Sequence, residues 1–313
     1  MVDILCVGDA VIDFTPWNEC GVYVRNAGGA PANVAIAIAR MGCSSAFCGK
    51  VGNDIFGEYL LKTIHDNGVF LYCGKPSQEA ATTMTFVDLS PDGNRSFTFA
   101  QKIGAHLHLE ESEITPEMIR NAKIVHTSST MLYGGTSPQA VLHALRMAKE
   151  NNVLVSFDIN YRALQWKTPE DCRNQIIKLL PFVDMIKISN EESFLFGGDD
   201  KLLKIMEQYD IQLMALTRGA SPASVYWDGK KWNQPCIGNI AVDTTGAGDA
   251  FWGVFLSVII ERGIRDRGDF SDDIIDEALR YAVAAGELSI LKYGAIASLP
   301  YKTEVEEALK LYG

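Results

Sequence analysis

Asp243-Thr244-Thr245-Gly246-Ala247-Gly248-Asp249-Ala250-Phe251 joins a glycine-rich turn, a single carboxylate and the start of an apolar run that continues to Ile260. The run reads as a buried helix. Its N-terminal end carries the amides of Gly246, Ala247 and Gly248, where unsatisfied N–H groups and the helix dipole attract anions. Glycines let the backbone approach a phosphate closely, and preorganised amides meet the charge that builds during transfer. A carboxylate beside such an anion hole repels phosphate unless it has a proton to collect. A hydroxyl attacking a γ-phosphoryl group supplies one, so Asp249 is the candidate general base. An aspartate that only caps a helix would need the helix alone and would leave both glycines unexplained.

Outward from this segment, apolar strands and helices alternate. Val2 to Val7 reads as a buried strand, with Asp9 and Asp13 in the loop beyond it. Gly28-Gly29-Ala30-Pro31 then opens a helix from Ala32 to Met41 that stops at Gly42. Ala46 to Val51 is strand-like and Phe56 to His65 helical. Further strands are expected at 124–128, 153–158, 185–188 and 213–217, with helices at 138–151, 169–180 and 201–209 and a hairpin around Asp228-Gly229. Thr83 to Leu89 and Arg95 to Phe99, joined by Pro91-Asp92-Gly93-Asn94, form a second hairpin. The expected fold is α/β, a mainly parallel central sheet with helices on both faces, from which that hairpin projects as a small β lid. Ligands then bind at the C-terminal ends of the strands.

The chain is 313 residues long, with 47% hydrophobic and 21% charged residues, which suits one sizeable globular domain. A formal net charge of −11 argues against a nucleic-acid or anionic-membrane surface, so any phosphate site must be local. Ala250 to Ile260 is the longest apolar run and is too short to span a bilayer, and the N-terminus lacks a basic leader, so a cytoplasmic protein is expected. The seven cysteines are scattered without metal or disulfide spacing and read as reduced thiols, several of them buried. The five histidines show no metal pattern either, and no P-loop or dinucleotide fingerprint occurs.

Several strands end in polar residues: Gly8-Asp9, Asp158-Ile159-Asn160 and Ser189-Asn190-Glu191-Glu192. Asp9, Asp13, Asn33 and Asn160 could bond sugar hydroxyls and Arg162 a phosphate oxygen, although each polar residue taken singly reads as well as a cap or turn. Glu191 and Glu192 fit either a hydrated magnesium ion or an acidic first helical turn. Thr217-Arg218-Gly219-Ala220 fits a turn beside a nucleotide, a weak signal by itself.

Two long segments carry a family resemblance: Gly28 to Ala35, with Gly42 and the run Gly49 to Gly57, and Asp243 to Phe251. On them the chain resembles the ribokinase-like carbohydrate kinases, the PfkB family, from Gly8 to about Pro300. The resemblance implies a single ribokinase-like domain over 1–313 with a lid from about 10–27 and 80–106, Mg²⁺-ATP as donor and a sugar or nucleoside-like alcohol as acceptor. It places catalysis at Asp249 with Gly246, Ala247, Gly248 and Arg162. Acceptor contacts fall to Asp9, Asp13, Gly28, Gly29, Asn33 and Asn160, and nucleotide contacts to Thr217, Gly219, Gly246, Gly248 and Gly294. Glu192 matches a magnesium-linked glutamate whose motif normally opens with asparagine, here Ser189. Asp243, Thr245, Ser289, Gly294 and Ser298 resemble positions where some members bind potassium. Val283 stands where many relatives have an asparagine facing adenine.

Gly8 to Asp13 and Gly28 to Gly42 look most like fructokinases, which implies D-fructose as acceptor and fructose 6-phosphate as product. Ala100 to His106 departs from the Tyr-Arg-x-Pro-x-Ala-Asp run usual there. Aminoimidazole riboside kinase and 2-keto-3-deoxygluconate kinase are therefore the competing readings, and a non-catalytic sugar sensor is the competing class. Apolar hairpin residues such as Phe86 and Phe97 fit a homodimer contact or a cover over the acceptor equally well.

Overall fold

The computed structural model describes residues 1–16, 21–72, 74–89, 95–101 and 103–312. The chain begins with β1 (Val2–Val7), β2 (Val11–Pro16), β3 (Tyr23–Gly28), α1 (Ala30–Arg40), β4 (Ser45–Cys48), α2 (Ile55–Asp66), β5 (Phe70–Leu71), β6 (Met84–Leu89) and β7 (Arg95–Phe99). It continues through α3 (Pro116–Arg120), β8 (Ala122–Ser128), α4 (Ser137–Glu150), β9 (Leu154–Asp158), α5 (Pro169–Leu179), β10 (Met185–Ser189), α6 (Asp199–Tyr209) and β11 (Leu213–Arg218). The last part holds β12 (Ser221–Trp227), β13 (Lys230–Gln234), α7 (Ala247–Glu261), α8 (Asp272–Ser289), α9 (Ala295–Ser298) and α10 (Lys302–Tyr312).

The large sheet has the order β13-β12-β11-β10-β9-β8-β1-β4-β5 and is parallel from β11 to β5, with the β12–β13 hairpin antiparallel at one edge. Both of its faces are buried, which explains the unbroken apolar strands. Ile4 and Cys6 of β1 face a core shared with α1, α7 and α8, while Leu5 and Val7 face one shared with α4, α5 and α6. Successive side chains alternate across the sheet, so one short strand feeds both layers. Among the described residues no helix is long and apolar enough to cross a membrane. Cys6, Cys43, Cys48 and Cys172 are buried thiols and Cys236 is half-exposed, while Cys20 and Cys73 lie outside the described residues.

The second sheet is small, in the order β3-β2-β6-β7. It corrects one expectation. Asp13 belongs to β2, not to a loop, because β2 gains its ladder from β3 and β6 rather than from an apolar pattern of its own. The expected hairpin is present as β6 and β7, whereas its tip at 91–94 and the side chain of Phe97 lie outside the described residues. Phe86 is not a bare surface residue: it stacks on Phe14 at 5.0 Å and meets Tyr23 edge-on at 5.5 Å. The strand expected from Ala46 to Val51 stops at Cys48.

The hairpin is tied down at its base. Asp54 caps α2 through Phe56 N and Gly57 N, and the same carboxylate accepts from Thr82 N and Thr82 Oγ1, both at 2.8 Å. Ala105 N bonds Ala81 O at 2.9 Å, and Thr83 Oγ1 lies 2.6 Å from His106 Nδ1.

Candidate active site

The first turns of α1 and α7 meet at the C-terminal edge of the large sheet. Gly246 is the residue before α7 and takes φ +80°, a left-handed conformation that L side chains rarely adopt. It frees the amides of the following turn, and Asp249 sits within that turn, 7% exposed. Asn33, in the first turn of α1, donates its Nδ2 to Asp249 Oδ2 at 2.7 Å. Burial pushes the Asp249 carboxyl up from its ordinary range, opposed by the Asn33 bond and by the charges of Lys187 and Arg162. Its own Asn33 partner leaves a buried Oδ1 atom without a hydrogen-bond partner among the described residues.

The acceptor candidates gather beside this pair. Asp9 follows β1 and accepts from Thr130 Oγ1 at 2.7 Å, and burial pushes its pKa up to about 6. Asp13 is half-buried yet closely surrounded by protein, and burial followed by the charge of Asp9 pushes it up to about 7. Thr85, its register partner on β6, hydrogen-bonds that carboxylate. Gly28 ends β3, and Gly29 takes φ +112° where a side chain would collide with the Asp9 carbonyl. Asn160 is buried with φ +39°, and Arg162 is exposed, its charge felt by Asp9, Asp13 and Asp249.

Glu192 does not open a helical turn of an α-helix. It precedes a short 3-10 turn, is 8% exposed, and its carboxylate accepts from Tyr161 N at 2.7 Å and Ser189 N at 2.8 Å. It therefore clamps the Asn160–Arg162 turn to the end of β10. Each oxygen keeps a lone pair, so a metal-bound water can still approach, which fits magnesium held chiefly by water and nucleotide oxygens. Among the described residues no cluster of three or more His, Cys, Asp or Glu could hold a metal ion directly. Glu191 is exposed.

The remaining candidates lie further along the edge. Thr217 is the last residue but one of β11, its carbonyl accepting from Asn190 N, and Gly219 turns at φ +55°. Cys236 Sγ lies 3.6 Å from Gly219 O and borders a cleft of about 250 Å³ with Pro235, Ile237, Arg280 and Val283. Asp243 joins two of the potassium candidates, accepting from Thr245 N at 2.7 Å and Gly294 N at 3.0 Å. Ser289 and Ser298 are buried and donate within their own turns, to Gly286 O and Ala295 O.

Two side chains at this edge escaped the reading of the sequence. Lys187 on β10 is buried against Asp158, its Nζ 3.0 and 3.1 Å from the two carboxylate oxygens. Thr130 holds Asp9. The signal for Lys187 was a lone cation inside the apolar strand Met185-Ile186-Lys187-Ile188.

Residues 1–302 match the model of the pfkB family carbohydrate kinases. The chain belongs to that family. It is 35% identical to the probable fructokinase-4 of Arabidopsis thaliana, over 98% of this chain and 96% of the relative. Among solved structures it is similar to the fructokinase of Vibrio cholerae O395 in a fructose-, ADP- and calcium-bound form, with TM-score 0.88, 33% identity and 99% of each chain covered. It is also similar to the Xylella fastidiosa fructokinase with bound ATP, with TM-score 0.90 and 28% identity over 99% of this chain and 98% of that one. This pfkB kinase thus has the ribokinase-like α/β architecture expected from its sequence.

Proposed function

We propose that this kinase transfers the γ-phosphoryl group of ATP to the primary hydroxyl of D-fructose, forming fructose 6-phosphate. The observation that carries the reading is the Asn33–Asp249 pair in the first turn of α7. With Oδ2 held by Asn33, Oδ1 of Asp249 is oriented to take the hydroxyl proton as the alcohol attacks in line. The amides after Gly246, with Arg162 from the opposite loop, offset charge on the equatorial oxygens. Magnesium, when bound, neutralises phosphate charge. Glu192 supports that site from outside its water shell and holds Arg162 in range through the Tyr161 amide.

Asp9, Asp13, Asn33 and Asn160 hold the sugar hydroxyls, and the small sheet closes over them as a lid. Three buried or enclosed carboxylates face one exposed arginine, so an anionic acceptor such as a keto-deoxy sugar acid would add unfavourable charge. The reading of a neutral sugar is favoured on that ground. The 250 Å³ cleft beside Gly219 takes the adenine, with apolar Val283 in place of a polar contact. Asp243, Thr245 and the turn through Gly294 make the potassium-responsive loop, with Ser289 and Ser298 packed beneath. A second copy would dock on the edge strand β3, where Tyr23 and Val24 are exposed.

The test is ADP release with ATP and magnesium against fructose, aminoimidazole riboside and 2-keto-3-deoxygluconate. Fructose should support the fastest turnover. A riboside preferred strongly over fructose would reassign the acceptor, and no acceptor-dependent ADP release would leave a sugar sensor.

A further inference from the structure

The last row of side chains on one face of the large sheet is polar. Register aligns Ser128 with Asp158 and Asp158 with Lys187 across β8, β9 and β10. Strand alternation puts these three on the face of Ile124, Leu154 and Met185, the core shared with α7. Lys187 thus lies beneath the beginning of that helix. A Cβ built on Gly248 would come within 2.8 Å of Nζ, so the ammonium abuts the turn that carries the anion-binding amides.

This is a poor place for a cation by itself. The start of a helix is its positive end, and a buried ion pair brings little net stability. Among the described residues Asp158 is the hydrogen-bond partner of Nζ, which leaves one of three protons for another acceptor. Burial pulls the ammonium pKa down, but the carboxylates of Asp158, Glu192 and Asp249 more than offset this and keep Lys187 charged. An anion seated on the α7 amides would turn two mutually unfavourable neighbours into joint partners of one ligand.

We infer that Lys187 is a further catalytic residue, whose ammonium contacts an oxygen of the transferred phosphoryl group beside the amide of Gly248. The inference rests on the phosphoryl-transfer reading proposed above. Arg162 reaches the same group from an exposed loop, whereas Lys187 is fixed in the sheet by Asp158. Gly248 has no side chain to stand between Nζ and the phosphate. Lys187 remains protonated throughout, and the hydroxyl proton still goes to Asp249.

The test removes both charges together, because Lys187→Met alone would strand a buried carboxylate. The Lys187→Met/Asp158→Asn protein should fold, as followed by circular dichroism. Calorimetry without sugar then compares a non-hydrolysable ATP analogue with ADP. The preference of the wild type for the analogue should fall roughly 10-fold or more in the double variant. Turnover of the double variant should fall about 10²-fold. A folded double variant that keeps wild-type turnover, or that loses ADP and the analogue equally, overturns the inference. If the wild type failed to phosphorylate fructose, the acceptor reading would fall, and the affinity ratio would still decide Lys187.

Discussion

The two halves of the cleft are built differently. At the phosphoryl end, Asp249, Asn33, Lys187 and Asp158 are all less than 9% exposed and stand on the first turns of α1 and α7 or on central strands. At the acceptor end, Asp9 and Asn160 are buried, but Asp13 is half-buried and carried by the small sheet. On the proposed function, the transfer step thus stands on α1, α7 and the large sheet, and the choice of alcohol partly on the small sheet. Changes at the first end should act on kcat, and changes at the second on KM and acceptor preference.

Asp249→Asn probes that division most strongly. Turnover should fall roughly 10²- to 10⁴-fold, with melting temperature and ADP affinity near those of the wild type. Near-normal turnover in steady-state assays would remove the base from the phosphoryl end. Asp13→Asn should instead raise the fructose KM on the order of 10-fold or more with a smaller change in kcat. If kcat alone dropped, the two ends would not be separable.

Acidity sharpens the contrast. Asp9 and Asp13 have folded pKa values of about 6 and about 7, above the unfolded carboxylate value. The folded chain therefore binds extra protons from about pH 4 to about pH 7, and this contribution to stability grows as pH falls through that window. Activity should move the opposite way, with kcat/KM for fructose dropping about tenfold between pH 7.5 and 5.5. Asp13→Asn should melt roughly 2–4 °C above the wild type at pH 8 and lose that advantage by pH 5, as read by scanning calorimetry. A pH-independent difference would mean that Asp13 carries no burial cost. The smallest effect is expected of Val283→Asn, which should change the KM for ATP by no more than about threefold.

The phosphoryl end was the more legible in sequence. A glycine turn, a carboxylate and an apolar run within nine residues specify a helix start by local chemistry alone. The parallel strands were readable because both of their faces are buried. By contrast, β2 is stabilised by partners in β3 and β6, so Asp13 looked like a loop residue. The clamp made by Glu192 was not legible, because nothing in its spacing shows the amides of Tyr161 and Ser189 converging on it. Lys187 gained meaning only once Asp158 and Gly248 were seen on either side of it. The stretch from Ala100 to His106 was hardest to read, since it has no local signal of its own and its Ala105 and His106 are held by Ala81, Thr83 and Tyr133.

The Asp54 fastening sets the mechanics of the hairpin. Four donors on one carboxylate rivet its incoming leg to α2, and the Ala81–Ala105 and Thr83–His106 bonds pin the outgoing leg a few residues away. The arm is thus clamped at its root, and β6 is held beyond it by its ladder with β2. On the proposed function, the strand that carries Thr85 opposite Asp13 is therefore anchored to α2 at its start, so the hairpin and the acceptor end keep one register.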